Sequence, residues 1–275
     1  MSFRICSIAS GSKGNCAFVS SSACRLLVDV GITVKRVEQS LRALGVSATS
    51  IDGILVTHTH SDHIKGVASF ASKYGVDVYC HDEVYDKMSK LLGLNAKLRL
   101  IPIFERDFFV KDITVSPFWV CHDVDCMGFA MYHRGAKISI ATDLGHISAS
   151  VMRKISGSDI ALVEANHDED KLRVNPEYPR YLKERILSAR GHLSNESCGH
   201  AIVKLVASGV RQVILGHLSD SNNYPELALS TVQEILLDNG IDPSGVRITV
   251  ATQDRMSSVY KIDTDVMREA ASTMG

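Results

Sequence analysis

Gly53-Ile54-Leu55-Val56-Thr57-His58-Thr59-His60-Ser61-Asp62-His63 sets a short apolar run directly against a cluster of imidazoles and a carboxylate. Gly53–Val56 reads as a buried strand, and the polar cluster falls where that strand ends. A solvated turn would account for any one of these side chains. It does not account for all of them, because clustered imidazoles gain little near neutral pH unless a cation organises them. His58 and His60 are two positions apart, so in extended backbone they project to the same side. Asp62 and His63 come next, where the chain is expected to turn into a helix beginning at Ile64, within reach of a second ion beside the first. Mixed imidazole and carboxylate donors suit zinc, manganese or iron better than calcium, which prefers oxygen throughout.

Working outward, strand-like runs alternate with helical patterns along the whole chain. Strands are expected at Phe3–Ile8, Arg25–Val30, Gly53–Thr57, Asp77–Cys80, Ile113–Val120, Gly128–His133, Lys137–Thr142, Ile160–Val163, Gln212–Leu215, Val246–Val250 and Ser257–Ile262. Val34, Val37, Leu41 and Leu44 fall at helical spacing. Further helices are expected at Ile64–Tyr74, Glu83–Leu92, Ala149–Ile155, Tyr178–Ala189, Glu196–Ala207 and Pro225–Asp238. With no Pro/Gly/Ser-rich linker and no residue-level repeat, the simplest architecture is one layered α/β domain over residues 1–275.

The 275 residues are 45% hydrophobic and 22% charged, with a formal charge of −1. Such a balance carries no bulk signature of nucleic-acid or membrane binding, so an anionic substrate has to be attracted locally. Residues 171–190 offer one such local charge: six bases (Lys171, Arg173, Arg180, Lys183, Arg185, Arg190) against Glu177 and Glu184, a net +4 that suits either a polyanion guide or a solvated helix face. Met1–Cys6 does not open a secretory signal, and no apolar run reaches membrane-spanning length, so a cytoplasmic protein without membrane partners is expected. The seven cysteines form no CxxC pair and read as small apolar filler of a reduced compartment. Cys121, beside a candidate ligand, should point to the other face of its strand.

The pattern His58-x-His60-x-Asp62-His63 after an apolar strand resembles the signature of the metallo-β-lactamase superfamily. That resemblance implies an αββα sandwich with a two-metal site along one edge of the packed sheets. Later strand ends supply the remaining ligands: His122 after Val115–Cys121, Asp143 after Ile138–Thr142, and His217 after Val213–Gly216. It implies one ion on His58, His60 and His122, another on Asp62, His63 and His217, and Asp143 bridging them. Taken singly, His122 also suits a strand-end histidine, Asp143 a helix N-cap and His217 a surface loop. The histidines at 81, 133, 146 and 200 lack such context and read as structural or exposed.

Fold alone does not choose a substrate. A carboxylate at Asp143 departs from the β-lactamases themselves, which carry cysteine or serine there, and so argues against antibiotic hydrolysis. Five motifs resemble the YycJ (WalJ) group, relatives of RNase Z regarded as DNA 5′→3′ exonucleases. These are Ala9–Cys16, His122–Phe129, Glu164–Asp168, Gly191–Asn195 and Leu215–Ser219 with Asn222-Asn223. Cys126-Met127 departs from the second motif, where the group often has proline. Neither the inserted domain of the β-CASP nucleases nor the protruding arm of RNase Z has room here. The resemblance implies two divalent ions, zinc or manganese with iron as a further choice, generating a hydroxide for in-line attack on a phosphodiester. His192, in the position resembling the proton donor of RNase Z, heads a catalytic set with Asp62, His167 and Glu164, the last placed to orient an imidazole. Ser10, Ser12 and Asn15 of the Ser/Gly-rich turn, with Asn195 and Asn223, are candidate substrate contacts. The expected partner is DNA rather than RNA, with monomer and homodimer both open. Two rivals stand: a hydrolase of the same fold acting on a thioester, lactone or cyclic phosphodiester, and a non-catalytic metal-bound protein that binds nucleic acid.

Overall fold

The computed structural model describes residues 1–92 and 98–265. The first half of the chain contributes β1 (Ser2–Ala9), β2 (Cys16–Ser20), β3 (Arg25–Val28), α1 (Val34–Ala43), β4 (Gly53–Leu55), α2 (Ser61–Ile64), α3 (Val67–Tyr74), β5 (Val78–His81), α4 (Asp82–Leu92) and β6 (Leu100–Ile103). The second contributes β7 (Phe108–Val110), β8 (Ile113–Val120), β9 (Cys126–His133), β10 (Ala136–Ala141), α5 (Ala149–Ile155), β11 (Ile160–Glu164), α6 (Glu169–Val174), α7 (Arg180–Leu187), α8 (Asn195–Ala207), β12 (Gln212–Gly216), α9 (Pro225–Asp238) and β13 (Arg247–Val250). Finally β14 (Tyr260–Asp263) returns to pair with β1.

The first half, completed by β14, and the rest of the second half each form a seven-stranded mixed sheet, in the orders β14-β1-β2-β3-β4-β5-β6 and β13-β12-β11-β10-β9-β8-β7. The two sheets repeat one plan: antiparallel hairpins first, then parallel strands reached through helices, with the switch at β3/β4 and at β10/β11. Strand alternation separates three apolar layers. Leu26, Val28, Leu55, Ile160, Leu162 and Ile214 face the space between the sheets. Their neighbours Leu27, Ile54 and Val56 pack under α1, α3 and α4. Ala161, Val163, Val213 and Leu215 pack under α5, α8 and α9. The result is the αββα sandwich expected from the sequence, with helices covering both outer faces.

Several local expectations need correction. The helix expected at Ile64–Tyr74 is two helices, because Gly66 N–H bonds to Val30 O at 2.8 Å and a Cβ there would lie 2.2 Å from Ile32 O. The first piece, α2, starts earlier and carries Asp62 and His63. Strands β2, β6 and β7 and helix α6 escape the pattern reading: β7 is only three residues long, and β6 is an edge strand that tolerates Pro102. Helix α7 is shorter than Tyr178–Ala189 because Pro179 caps its start.

Candidate metal centre

The strand ends of both sheets meet at one edge, where Met127 N–H donates to Thr57 O at 2.9 Å and ties β9 to the histidine-rich loop after β4. Asp29 directly follows β3 and Asp143 follows β10 with one residue between, so the two stand at the same step of the two halves. Both have φ of 59°, and His217, just after β12, has φ of 56°. Left-handed backbone at three non-glycine residues costs energy that the surrounding structure must supply, and such strain gathers at functional sites.

The structure brings all seven expected ligands together. His58, His60 and His122 form one cluster; Asp62, His63 and His217 form a second; His58, His63 and Asp143 form a third between them. In each cluster one donor atom per residue lies within 4.8 Å of the others, which suits a divalent cation. His122 Nε2 is 3.4 Å from His60 Nδ1. Asp143 reaches both sides, with Oδ2 at 3.4 Å from His63 Nε2 and Oδ1 at 3.3 Å from His217 Nε2. Clusters this close to one another make up the donor set of a dinuclear divalent-metal site.

A surrounding set of acceptors decides which nitrogen each ring presents. Asp29 Oδ2 is 2.7 Å from His63 Nδ1, while its oxygens also accept from Thr57 N and Thr57 Oγ1, both at 2.8 Å. Thr57 Oγ1 is 3.0 Å from His58 Nδ1, and Gly191 O accepts from His122 Nδ1 at 3.2 Å. Glu164 Oε1 serves two rings, His192 Nδ1 at 2.7 Å and His217 Nδ1 at 2.9 Å, while its Oε2 accepts from Leu144 N at 2.9 Å. With those nitrogens engaged, the opposite ring atoms face the cluster, and two of them have no other partner. Among the described residues, the buried atoms His58 Nε2, His217 Nε2 and Asp143 Oδ2 have no hydrogen-bond partner. Buried polar atoms left unpaired and converging are what a bound cation would satisfy.

The local field points the same way. Burial works against the Asp62 and Asp143 carboxylates, yet His217 and His63 hold both well below the usual range. Burial would also depress His63, but Asp143 and Asp29 push it up to about 10. His217 is raised in the same way by Asp143, Asp62 and Glu164. The centre therefore demands positive charge, which protons on two imidazoles provide when no cation does. His58 is held low by burial and by His63, so it presents a neutral ring.

A cavity of about 220 Å³ opens onto these groups, lined by His60, Asp62, Asp143, His192 and His217 together with Ser12, Asn166, Ser219 and residues of the α7 segment. His192 stacks on His217 with ring centroids 5.2 Å apart. Of the other expected site residues, only Ser12 lines this cavity. Ser10 Oγ accepts from His217 N at 2.7 Å, and Asn15 Nδ2 turns inward to Gly11 O, Asp62 and His63. Asn195 and Asn223 bond each other, at 3.1 and 2.8 Å, and Asn223 also holds the carbonyls of Ala165 and Asn166. Their polar atoms brace the loops of the site instead of facing its opening; Ser10 and Asn223 also line a neighbouring cavity. His167 is buried, with neither ring nitrogen partnered among the described residues, and burial pushes it down to about 4. Sequence reading missed Asp29, Thr57 and Asp123. Asp29 was hidden inside the strand expected at Arg25–Val30; β3 ends at Val28, so Asp29 follows a strand end as Asp143 does.

Known proteins agree with this picture. Residues 24–218 match the family model described as a beta-lactamase superfamily domain. The exodeoxyribonuclease YycJ of Bacillus anthracis is 36% identical over 241 residues, 85% of this chain and 89% of that protein. The exodeoxyribonuclease WalJ of Streptococcus pneumoniae is 36% identical over 234 residues, 84% and 87% of the two chains. The crystal structure of the metallo-β-lactamase fold protein YhfI of Bacillus subtilis superposes with a TM-score of 0.73, at 15% identity over 95% of this chain and all of that one.

Proposed function

Because this chain belongs to the metallo-β-lactamase superfamily, with the YycJ and WalJ exodeoxyribonucleases as relatives along most of its length, we propose that it is a metal-dependent phosphodiesterase that degrades DNA from the 5′ end. The observation that carries this reading is the convergence of two donor clusters on one open cavity with His192 at its wall. His58 Nε2, His60 Nδ1 and His122 Nε2 would hold one divalent ion. Asp62, His63 and His217 would hold a second, and Asp143 would serve both. Zinc and manganese suit these donors, as does iron. When bound, such a pair supplies Lewis acidity and a water-derived nucleophile for in-line displacement at phosphorus.

The chain's own groups do the rest. Glu164 fixes His192 through Nδ1, so Nε2 is the ring nitrogen free to give a proton to the leaving oxygen. The same carboxylate fixes His217, so the proton donor and a ligand are positioned by one buried group. The Ser12 and Ser219 side chains line the cavity, and their hydroxyls can donate to a phosphate oxygen. His167 is buried and does not line the cavity, so no step is assigned to it. A cytoplasmic place of work belongs to the same proposal and is supported by seven free cysteines. Among the described residues, no helix is long and apolar enough to cross a membrane.

The test is incubation of purified protein with linear DNA carrying a 5′ phosphate, with and without Mn²⁺, against an Asp143→Ala control. Stepwise loss from the 5′ end that needs both the metal and Asp143 is the expected result. A metal-loaded protein that cleaves neither DNA nor matching RNA would refute the proposal and favour a small-molecule hydrolase.

A further inference from the structure

Most bases of the 171–190 segment are already engaged. Arg173 pairs with Glu169 at 2.9 Å and Arg180 with Glu184 at 2.6 Å. Lys183 donates to Arg173 O, Arg190 donates to His122 O at 2.8 Å, and Lys171 lies over the Tyr224 ring. The hydrogen-bonding groups of these bases are thus largely engaged in holding helices and loops, although most of the positive charge itself remains. Arg185 differs. It is the one Lys or Arg among the described residues that lines the metal cavity, and its side chain is 57% exposed.

Its only ion pair among the described residues is loose: Arg185 NH1 lies 3.3 Å from Asp123 Oδ2. The other oxygen of that carboxylate, Oδ1, lies 3.3 Å from His60 Nε2 and 3.2 Å from His122 Nε2, and it is buried without a hydrogen-bond partner. Asp123 therefore stands between the first histidine cluster and the guanidinium, and holds the guanidinium at the rim. The backbone of α7 is fixed in turn. His192 N–H donates to Ile186 O at 3.0 Å, and a Cβ at Gly191 would lie 2.1 Å from that same oxygen. Tyr178 and Leu182 continue the wall on which Arg185 stands, giving half-buried apolar surface beside the charge.

We infer that Arg185 is the phosphate-seating residue of this cavity. It takes a strand phosphate as a fork of charge-assisted hydrogen bonds in exchange for its loose contact with Asp123, with Tyr178 and Leu182 receiving the adjoining nucleoside. A guanidinium matches a phosphate in a planar, two-pronged way that a carboxylate 3.3 Å away on one prong does not. This rests on the nuclease reading above and adds the side chain through which that activity selects a polyanionic strand.

The experiment compares wild type, Arg185→Ala and Arg185→Lys on a 5′-phosphorylated single-stranded oligonucleotide over a salt series, with metal content and melting temperature measured alongside. Arg185→Ala should raise KM about tenfold or more while kcat stays within about twofold. Its plot of log(kcat/KM) against log salt should be shallower by about 0.7, the share of one lost single-strand phosphate contact. Arg185→Lys should restore the slope, and metal content and melting should not move. Wild-type KM and slope in Arg185→Ala would overturn the inference. So would a fall in kcat together with lost metal, since that marks a merely structural role. Wild-type protein that cuts no DNA would instead defeat the nuclease reading itself, and the two failures cannot be confused.

Discussion

Glu164 makes the sharpest test of how this site is held. It is fully buried and accepts from His192 Nδ1 at 2.7 Å, His217 Nδ1 at 2.9 Å, Leu144 N at 2.9 Å and Leu193 N at 3.4 Å. Glu164→Ala leaves those donors buried and unpaired, and breaking such a charged network by removing one partner costs roughly 3–5 kcal/mol. At roughly 2 °C per kcal/mol for a chain this long, the metal-free protein should melt about 6–10 °C lower. Glu164→Gln keeps the shape and one acceptor oxygen but turns an NH2 toward groups that are themselves donors. It loses charge-assisted bonding worth roughly 1.5–3 kcal/mol.

The consequences for chemistry separate from those for stability. His217 loses the bond that fixes its tautomer, so metal affinity at its cluster should fall about 10- to 100-fold. His192 loses its orientation, so turnover of metal-saturated Glu164→Gln should fall roughly 10²- to 10⁴-fold, the range of a lost general acid. Calorimetric melting of the metal-free form, metal analysis after dialysis against limiting metal, and steady-state rates at saturating metal report the three effects. Burial opposes the charge on Glu164, but His192 and His217 bring its carboxyl down to about 2 from an ordinary 4.5. Its contribution is therefore whole above about pH 4.5 and lost as pH falls toward 2, and the gap between wild type and Glu164→Gln should close over that window. Wild-type metal affinity and turnover in Glu164→Gln would refute the reasoning.

Asp29→Ala should weaken the cluster of Asp62, His63 and His217 about 10- to 100-fold, and the His58/His60/His122 cluster less, because Asp29 reaches His58 only through Thr57; competition with a chelator measures both, and an unchanged affinity at the His63 cluster would contradict the role given to Asp29. Metal uptake should release protons and tighten with rising pH from 6 to 9, because a ring held up near 10, as His63 is, carries a proton that the cation must displace. Titration calorimetry in buffers of different ionisation enthalpy reads the proton count, and uptake without proton release would show that the imidazoles are neutral before metal arrives.

What could be read from the chain beforehand follows from how each residue acts. His58, His60, Asp62 and His63 stand out because they act as a cluster; Asp143 and His217 each end an apolar strand, but it was the family resemblance that turned those strand ends into expected ligands. Glu164 was legible as a carboxylate near an imidazole, but that it serves two rings depends on β11 lying beside β12, a pairing between residues far apart in the chain. Asp29 was overlooked because Val30 continues the apolar pattern past it and puts it inside the strand expected at Arg25–Val30, whereas β3 itself ends at Val28. Its meaning appears only when the two halves are set side by side and Asp29 proves to occupy the step in the first sheet that Asp143 occupies in the second. The two aspartates share a backbone conformation, and each approaches an imidazole nitrogen. Asp143 faces the cluster from inside; Asp29 holds His63 from behind. One topological position, used twice, supplies the candidate bridging ligand in one sheet and the support for a neighbouring ligand in the other. That is also why the repeat left no trace in the residues: the two copies keep the geometry of the strand end while the side chains around it serve different purposes.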